Sequence, residues 1–243
     1  ILKKREGRRQ RVGSYTALLF MLFVWMFVFP VFDTGVYASR TIGQVLFAGL
    51  LVAGIGAAAG QAGLLRGLSV LAVLAVLSGV LHELNVLEGA DLFFVVEGVR
   101  VLFLLLAMRA VFRHIMRSAT VSLDTILGAV CVFLMVTLVF AEAYRILDTV
   151  DPNAIQFVDD QLPDHLSPDY TYDRYMYFSV VTITTLGYGD IVPISSIARA
   201  LAQIEAVLGQ LYVAVVLAWL VGLHMTEYVN TQQRSESGPS DGT

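Results

Sequence analysis

The chain has 243 residues, 57% of them hydrophobic and only 15% charged. Too few charged groups are present to cover a water-soluble domain of this length, so the apolar excess faces something other than water and the chain reads as an integral membrane protein. A formal charge of -4 argues against nucleic acid as a partner, and the lone Cys131 excludes a disulfide framework or a thiolate metal site.

From the N-terminus, a basic segment (Lys3, Lys4, Arg5, Arg8, Arg9, Arg11) precedes a first apolar run, Tyr15 to Val31. Further runs follow at Thr41 to Gly60, Leu64 to Leu81, Leu92 to Val111, Leu123 to Ala141 and Ile197 to Leu223. Each approaches the roughly 17 to 25 residues that a transmembrane helix needs. The third must accommodate Arg66 near its end, and the fourth carries Glu97 and Arg100. A seventh stretch, Tyr175 to Leu186, holds only about a dozen residues before Gly187, a length suited to a re-entrant helix. The expected fold is therefore an all-α membrane protein with six transmembrane helices plus one re-entrant helix and its loop.

Lys and Arg collect on cytoplasmic flanks. The basic N-terminus and the link with Arg109, Arg113, His114 and Arg117 should both lie inside, which places the C-terminal tail inside as well. The acidic segment with Glu83, Glu88 and Asp91 then lies outside. So does the connection between Arg145 and Arg174, which holds seven aspartates (Asp148, Asp151, Asp159, Asp160, Asp164, Asp169, Asp173) and no Lys or Arg. A signal peptide ending near Ala38 is the alternative for the first run, but its removal would put the remaining basic flanks on the wrong side.

The expected organisation is a basic cytoplasmic N-terminus (1–14), a four-helix membrane domain (15–117), a unit spanning 118–224 and a short tail (225–243). Within the unit lie an outer helix, an acidic turret (143–173), the re-entrant helix and its loop (174–190) and an inner helix (195–224). Gly56 and Gly60 form a GxxxG in the second run, either a dimer face or simply a tight bundle contact. The tail from Ser235 to Thr243 has a disordered composition.

One run carries chemistry: Thr182-Ile183-Thr184-Thr185-Leu186-Gly187-Tyr188-Gly189-Asp190, between the short helix and the last span. It resembles the pore signature of the potassium-channel family, Thr-Val-Gly-Tyr-Gly-Asp, with Leu186 in place of the usual Val. The resemblance is specific over Ser122 to Leu223, the two-span pore module, and only architectural over Tyr15 to Arg117. It implies a selectivity filter in which K+ is coordinated by Thr185, Leu186, Gly187, Tyr188 and Gly189. Inward-pointing backbone carbonyls replace the ion's hydration shell without placing full charges in the pore. Gly187 and Gly189 tolerate the alternating dihedrals this needs. The Thr185 hydroxyl would add a further oxygen at the inner end, and Leu186 and Tyr188 would point away. Thr184, Tyr177, Phe178 and Asp190 would support the filter, the two aromatics buttressing Tyr188. Val181 stands where some members carry a carboxylate behind the filter, so an acid pairing with Asp190 is missing there.

The resemblance extends to the last span, where Gly209 lies 19 residues after Asp190, at the family's inner-helix glycine. A hinge and a packing glycine are both open readings. Gln210, Val213, Leu217 and Val221 share one helical face, which would line the cavity and gate. Glu205 reads as hydrogen-bonded to a neighbouring helix, and Glu97 with Arg100, like Glu142 with Arg145, has pairing distance along a helix.

His82, His114, His165 and His224 lack ligand spacing, and no nucleophile elbow or catalytic pair is present, so no enzyme, organic cofactor or resident metal is expected. The function implied is passive K+ conduction by a homotetramer embedded in lipid in the cell membrane. The alternatives are a potassium transporter subunit, or a sensor membrane protein whose pore module serves oligomerisation. Steep voltage dependence takes about 3 to 4 gating charges per subunit. The fourth span offers Arg100 alone within the membrane, with Glu97 one turn away, so gating should be only weakly voltage-dependent.

Overall fold

The computed structural model describes residues 14–28, 30, 37–57, 62–83, 90–117, 123–158 and 171–236. The basic N-terminal segment, Gly60, Glu88, Asp159, Asp160, Asp164, Asp169 and His165 lie outside them, as do the side chains of Arg117, His82, Glu83, Asp91, Asp173, Leu217, Val221 and His224.

Among the described residues seven α-helices run in chain order: α1 (Ser14–Phe23), α2 (Tyr37–Ala57), α3 (Ala62–Glu83), α4 (Ala90–Arg117), α5 (Leu123–Val150), α6 (Thr171–Ile183) and α7 (Ser196–Glu236). A single π-helical stretch, Val24–Val28, continues α1. Two helical segments, α5 and the Ser196–Val216 part of α7, are long and apolar enough to cross a bilayer. Tyr15–Val28, Val45–Gly56 and Leu65–Leu77 are shorter apolar stretches, and α4 interrupts its apolar sequence with Glu97 and Arg100.

The all-α expectation is corrected at one place. Ile155–Phe157 (β1) pairs antiparallel with Ile191–Pro193 (β2), in the register Ile155 to Pro193 and Phe157 to Ile191. This clip lies on both sides of α6 in sequence, and its strands are too short for a period-2 pattern to announce them. Two boundaries also differ. The α5 helix continues into the segment read as turret and stops at Val150, just before the Asp151-Pro152 step that disfavours helix. The inner helix runs to Glu236 instead of 224, because the sequence has no Gly or Pro between Gly222 and Gly238 to end it.

Apolar stripes on α1 to α5 meet in one core. Its fully buried members include Leu18 and Leu22 of α1, Leu50 of α2, Leu68 of α3, Phe103 of α4 and Met135 of α5. In lipid such helices gain little from apolar burial itself, and close packing supplies the cohesion. Close approaches in α2 fall at Gly49 and Gly54, where an added Cβ would lie 3.2 Å from Met21 and from Phe103, whereas at Gly56 of the expected GxxxG it would meet no described atom within 4 Å.

Charges bind α4 to α5. Glu97 forms ion pairs with Arg100 on its own helix (3.3 Å) and with Arg145 of α5, and Arg145 also holds Glu142 at 3.1 Å. The two guanidinium groups sit over aromatic rings, Arg100 over Phe47 and Arg145 over Phe93. Both expected pairs form, and the link across helices joins them.

Candidate functional site: the strip after helix α6

A smaller core seats α6. Phe140, Tyr144, Ile155, Tyr175, Phe178 and Ala198 are buried together, drawn from α5, β1, α6 and α7. Phe178 meets Tyr144 edge-on with ring centroids 4.8 Å apart. Tyr175 donates to Asp148 near the end of α5, and its ring meets Phe157 of β1. The aromatic residues expected beside Tyr188 thus divide: Phe178 faces α5, while Tyr177 donates to the Asp190 carboxylate at 2.7 Å. That hydrogen bond is the main reason the Tyr177 phenol is pushed up to about 12, so the contact persists at mildly alkaline pH.

Past Ile183 the helix cannot continue, because the following residues alternate in handedness. Thr185 (φ 58°), Gly187 (φ 58°) and Gly189 (φ 82°) are left-handed, and Leu186 and Tyr188 between them are not. This alternation of hand departs from both helix and strand. For the two glycines it is inexpensive, whereas Thr185, with its Cβ, is held there at a cost of about 1–2 kcal/mol. Backbone bonds anchor the start of the strip. The Thr185 N–H donates to Thr182 at 2.9 Å, and the N–H groups of Leu186 and Gly187 reach the Val181 carbonyl at 2.9 and 3.3 Å. The Thr184 hydroxyl turns back to Val180 at 2.6 Å. Leu186 and Tyr188 are 54% and 66% exposed, so the described residues leave much of this flank of the strip uncovered.

At its far end the strip runs into β2. The Val158 N–H reaches the Asp190 carbonyl at 2.8 Å, which ties the strip to the residue after β1. Ser195 then caps α7, its Oγ accepting from the Ala198 N–H at 3.1 Å, the Ncap-to-N3 bond that starts a helix.

Helix α7 passes behind the strip and is fastened there at three levels. Glu205 is fully buried, accepting from Tyr144 of α5 at 2.6 Å and in contact with Ser179 of α6. One turn on, a Cβ on Gly209 would lie 2.4 Å from the Ile183 carbonyl oxygen. This glycine is therefore a close-approach residue in the present conformation. Next, Tyr212 donates to the Ala129 carbonyl of α5 at 2.7 Å. Gln210 extends its amide to the Thr185 hydroxyl at 3.4 Å, and Val213 is half exposed on the same helix. Sequence reasoning missed Tyr144, Ser179, Asp148 and Tyr212. The available signal was a hydroxyl or carboxyl in an apolar run, which requires a partner.

Among the described residues no cluster of His, Cys, Asp and Glu has the arrangement of a metal centre. No curated protein matches the chain. Residues 132–223, less than half of the chain but including most of α5, the whole of α6 and its strip, and the spanning part of α7, match the family model for an ion channel. That stretch is similar to ion-channel domains, and it holds most of α5 and all of the α7 segment that is long and apolar enough to cross a membrane.

Proposed function

We propose that the chain is a potassium-selective channel subunit that conducts K+ passively through a pore on the four-fold axis of a homotetramer. The observation that carries this reading is the alternating strip Thr185 to Gly189, on the sequence Thr-Thr-Leu-Gly-Tyr-Gly-Asp, inside the stretch similar to ion-channel domains. Carbonyls turned to one side can replace the water around a cation at little cost of reorganisation. One strip cannot encircle an ion, so closed symmetry supplies the other walls. The exposed flank of Leu186 and Tyr188 supports this, because irregular backbone at membrane depth must be walled by protein or water.

In this reading the K+ ions are the cargo, coordinated at Thr185, Leu186, Gly187 and Tyr188. The side chain at 186 matters little, since the ligands there are backbone atoms. The leading helices are a collar, crossing the membrane with α5 and α7 to make six spans with both termini cytoplasmic. Voltage moves them little: Arg100 is paired with Glu97, which is also tied to Arg145 of the pore domain.

Purified protein in liposomes should pass K+ down its gradient, exclude Na+, and show a slope of conductance against voltage well below the equivalent of several charges per channel. Native mass in detergent should be that of four chains. Equal Na+ and K+ flux would overturn the filter assignment, and a conducting monomer or dimer would overturn the assembly.

A further inference from the structure

Behind the filter lies a buried polar chain that ion coordination does not use. Glu205 of α7 and Ser179 of α6 are each 0% exposed. Tyr144 donates to Glu205 Oε2, Ser179 Oγ touches Glu205 Oε1, and the same Ser179 Oγ lies 2.8 Å from the carbonyl of Thr137 on α5.

The hydrogens in this chain can be counted. A serine hydroxyl has one to give, and a backbone carbonyl has none. If Ser179 bonds to Thr137, the hydrogen between Ser179 and Glu205 must come from the carboxyl group. A protonated acid fits every contact at once. Its O–H goes to Ser179 and its other oxygen accepts from Tyr144, while Ser179 gives its hydrogen to Thr137. An ionised Glu205 has no hydrogen, so Ser179 would have to turn away from Thr137 to serve it.

The surroundings favour the neutral form. Among the described residues Glu205 makes no ion pair, and an unpaired buried carboxylate is costly. Of the ionisable groups on the packed elements, Tyr144 faces it from α5. The others on that helix are placed elsewhere: Glu142 and Arg145 pair with each other, Asp148 holds Tyr175 of α6, Cys131 reaches the Tyr15 carbonyl, and Asp124 lies in the first turn, 13 residues before Thr137; on α6, Tyr177 holds Asp190 and Arg174 sits over Phe157. The neighbouring turns of α7, from Ala200 to Val213, hold no other charged residue.

We propose that Glu205 carries a proton and acts as a positioning residue, a neutral acid that pins α6 between α5 and α7 and so holds the strip from behind. Deprotonation frees Ser179 from Thr137 and loosens α6. Conduction is therefore full while the acid is protonated and falls as rising pH removes the proton. This inference about flux rests on the channel reading above; the protonation itself does not.

The test uses the full chain and Glu205→Gln, whose amide can donate to Ser179 and accept from Tyr144 without titrating. Wild-type K+ flux in liposomes should drop several-fold from neutral to alkaline pH. The variant should match wild type at neutral pH and stay level. Infrared spectra at neutral pH should show a protonated carboxyl stretch that the variant loses. Wild-type flux with no such band, or a pH response unchanged in Glu205→Gln, overturns the proposal. So does a folded Glu205→Gln tetramer that no longer conducts. Loss of the band in the variant together with no wild-type K+ flux refutes the channel reading while leaving the buried acid established.

Discussion

The two helices able to cross a bilayer are treated oppositely by the rest of the chain. Half of the apolar window of α5 is buried, against 11% for α7. Helix α5 has α1 and α4 on one side and α6 on another, and its charged end is tied to Glu97. Helix α7 touches its own chain along one stripe, through Glu205, Gly209 and Tyr212, and leaves Val207, Leu211 and Val215 uncovered. Apolarity alone therefore marks a segment as fit for the membrane without naming its neighbour. The stripe is fixed by a few polar or small residues, and in the proposed channel the uncovered face of α7 is where other copies of the chain would sit.

That contrast can be broken first at the strip. Gly187→Ala should abolish K+-selective flux in liposomes. The site has room for a Cβ, but φ of 58° strains any L side chain, and the carbonyl ring tolerates no reorientation. Retained selectivity would show that the strip is not the filter.

The stripe itself is tested by two glycines of α7. Gly209→Ala should lower stability by roughly 1–3 kcal/mol and impair flux, because the new Cβ meets the rigid Ile183 backbone. Gly222→Ala, where an added Cβ meets no described atom within 4 Å, should be neutral or stabilising by up to about 1 kcal/mol. Thermal unfolding in detergent distinguishes them, and equal effects would mean that α7 is not anchored at Gly209.

On the well-covered side, Glu97→Gln leaves Arg145 and Arg100 short of a buried counter-charge. Removing one member of a buried pair can cost about 3 kcal/mol. A smaller loss is expected here because Glu142 still holds Arg145. Detergent melting should show that loss, with K+ selectivity unchanged; altered selectivity would show that the collar shapes the filter.

The smallest effect concerns the acidic segment before α6. Neutralising Asp159, Asp160 and Asp164 together should lower conductance in dilute salt only, since the Debye length shrinks to roughly 8 Å at physiological ionic strength. An equal reduction at high salt would indicate a structural role.

Much of this was legible in residues. The apolar runs located the helices, and Thr-Thr-Leu-Gly-Tyr-Gly-Asp located the strip, because the dihedrals it needs leave glycine at alternate positions. The expectation that Glu205 meets a neighbouring helix also follows from the cost of an unsatisfied acid. Its partners did not follow: Tyr144 is 61 residues away and Ser179 is 26, and pairing over such distances depends on tertiary packing. The β1–β2 clip was invisible for the same reason. Thr185 escaped as a left-handed residue because threonine gives no sign of it; the bonds at the end of α6 impose that conformation.

The length of α7 has a mechanical consequence. At 1.5 Å per residue its 41 residues extend about 60 Å, roughly twice the hydrocarbon thickness of a bilayer. Its packing against the core is seen as far as Trp219, and the 17 residues from there to Glu236 extend some 26 Å further. Turning about that point by about 10° would sweep the far tip through roughly 4 to 5 Å. A displacement of that end would travel along one helix to Gln210 and Glu205, the residues that touch Thr185 and Ser179.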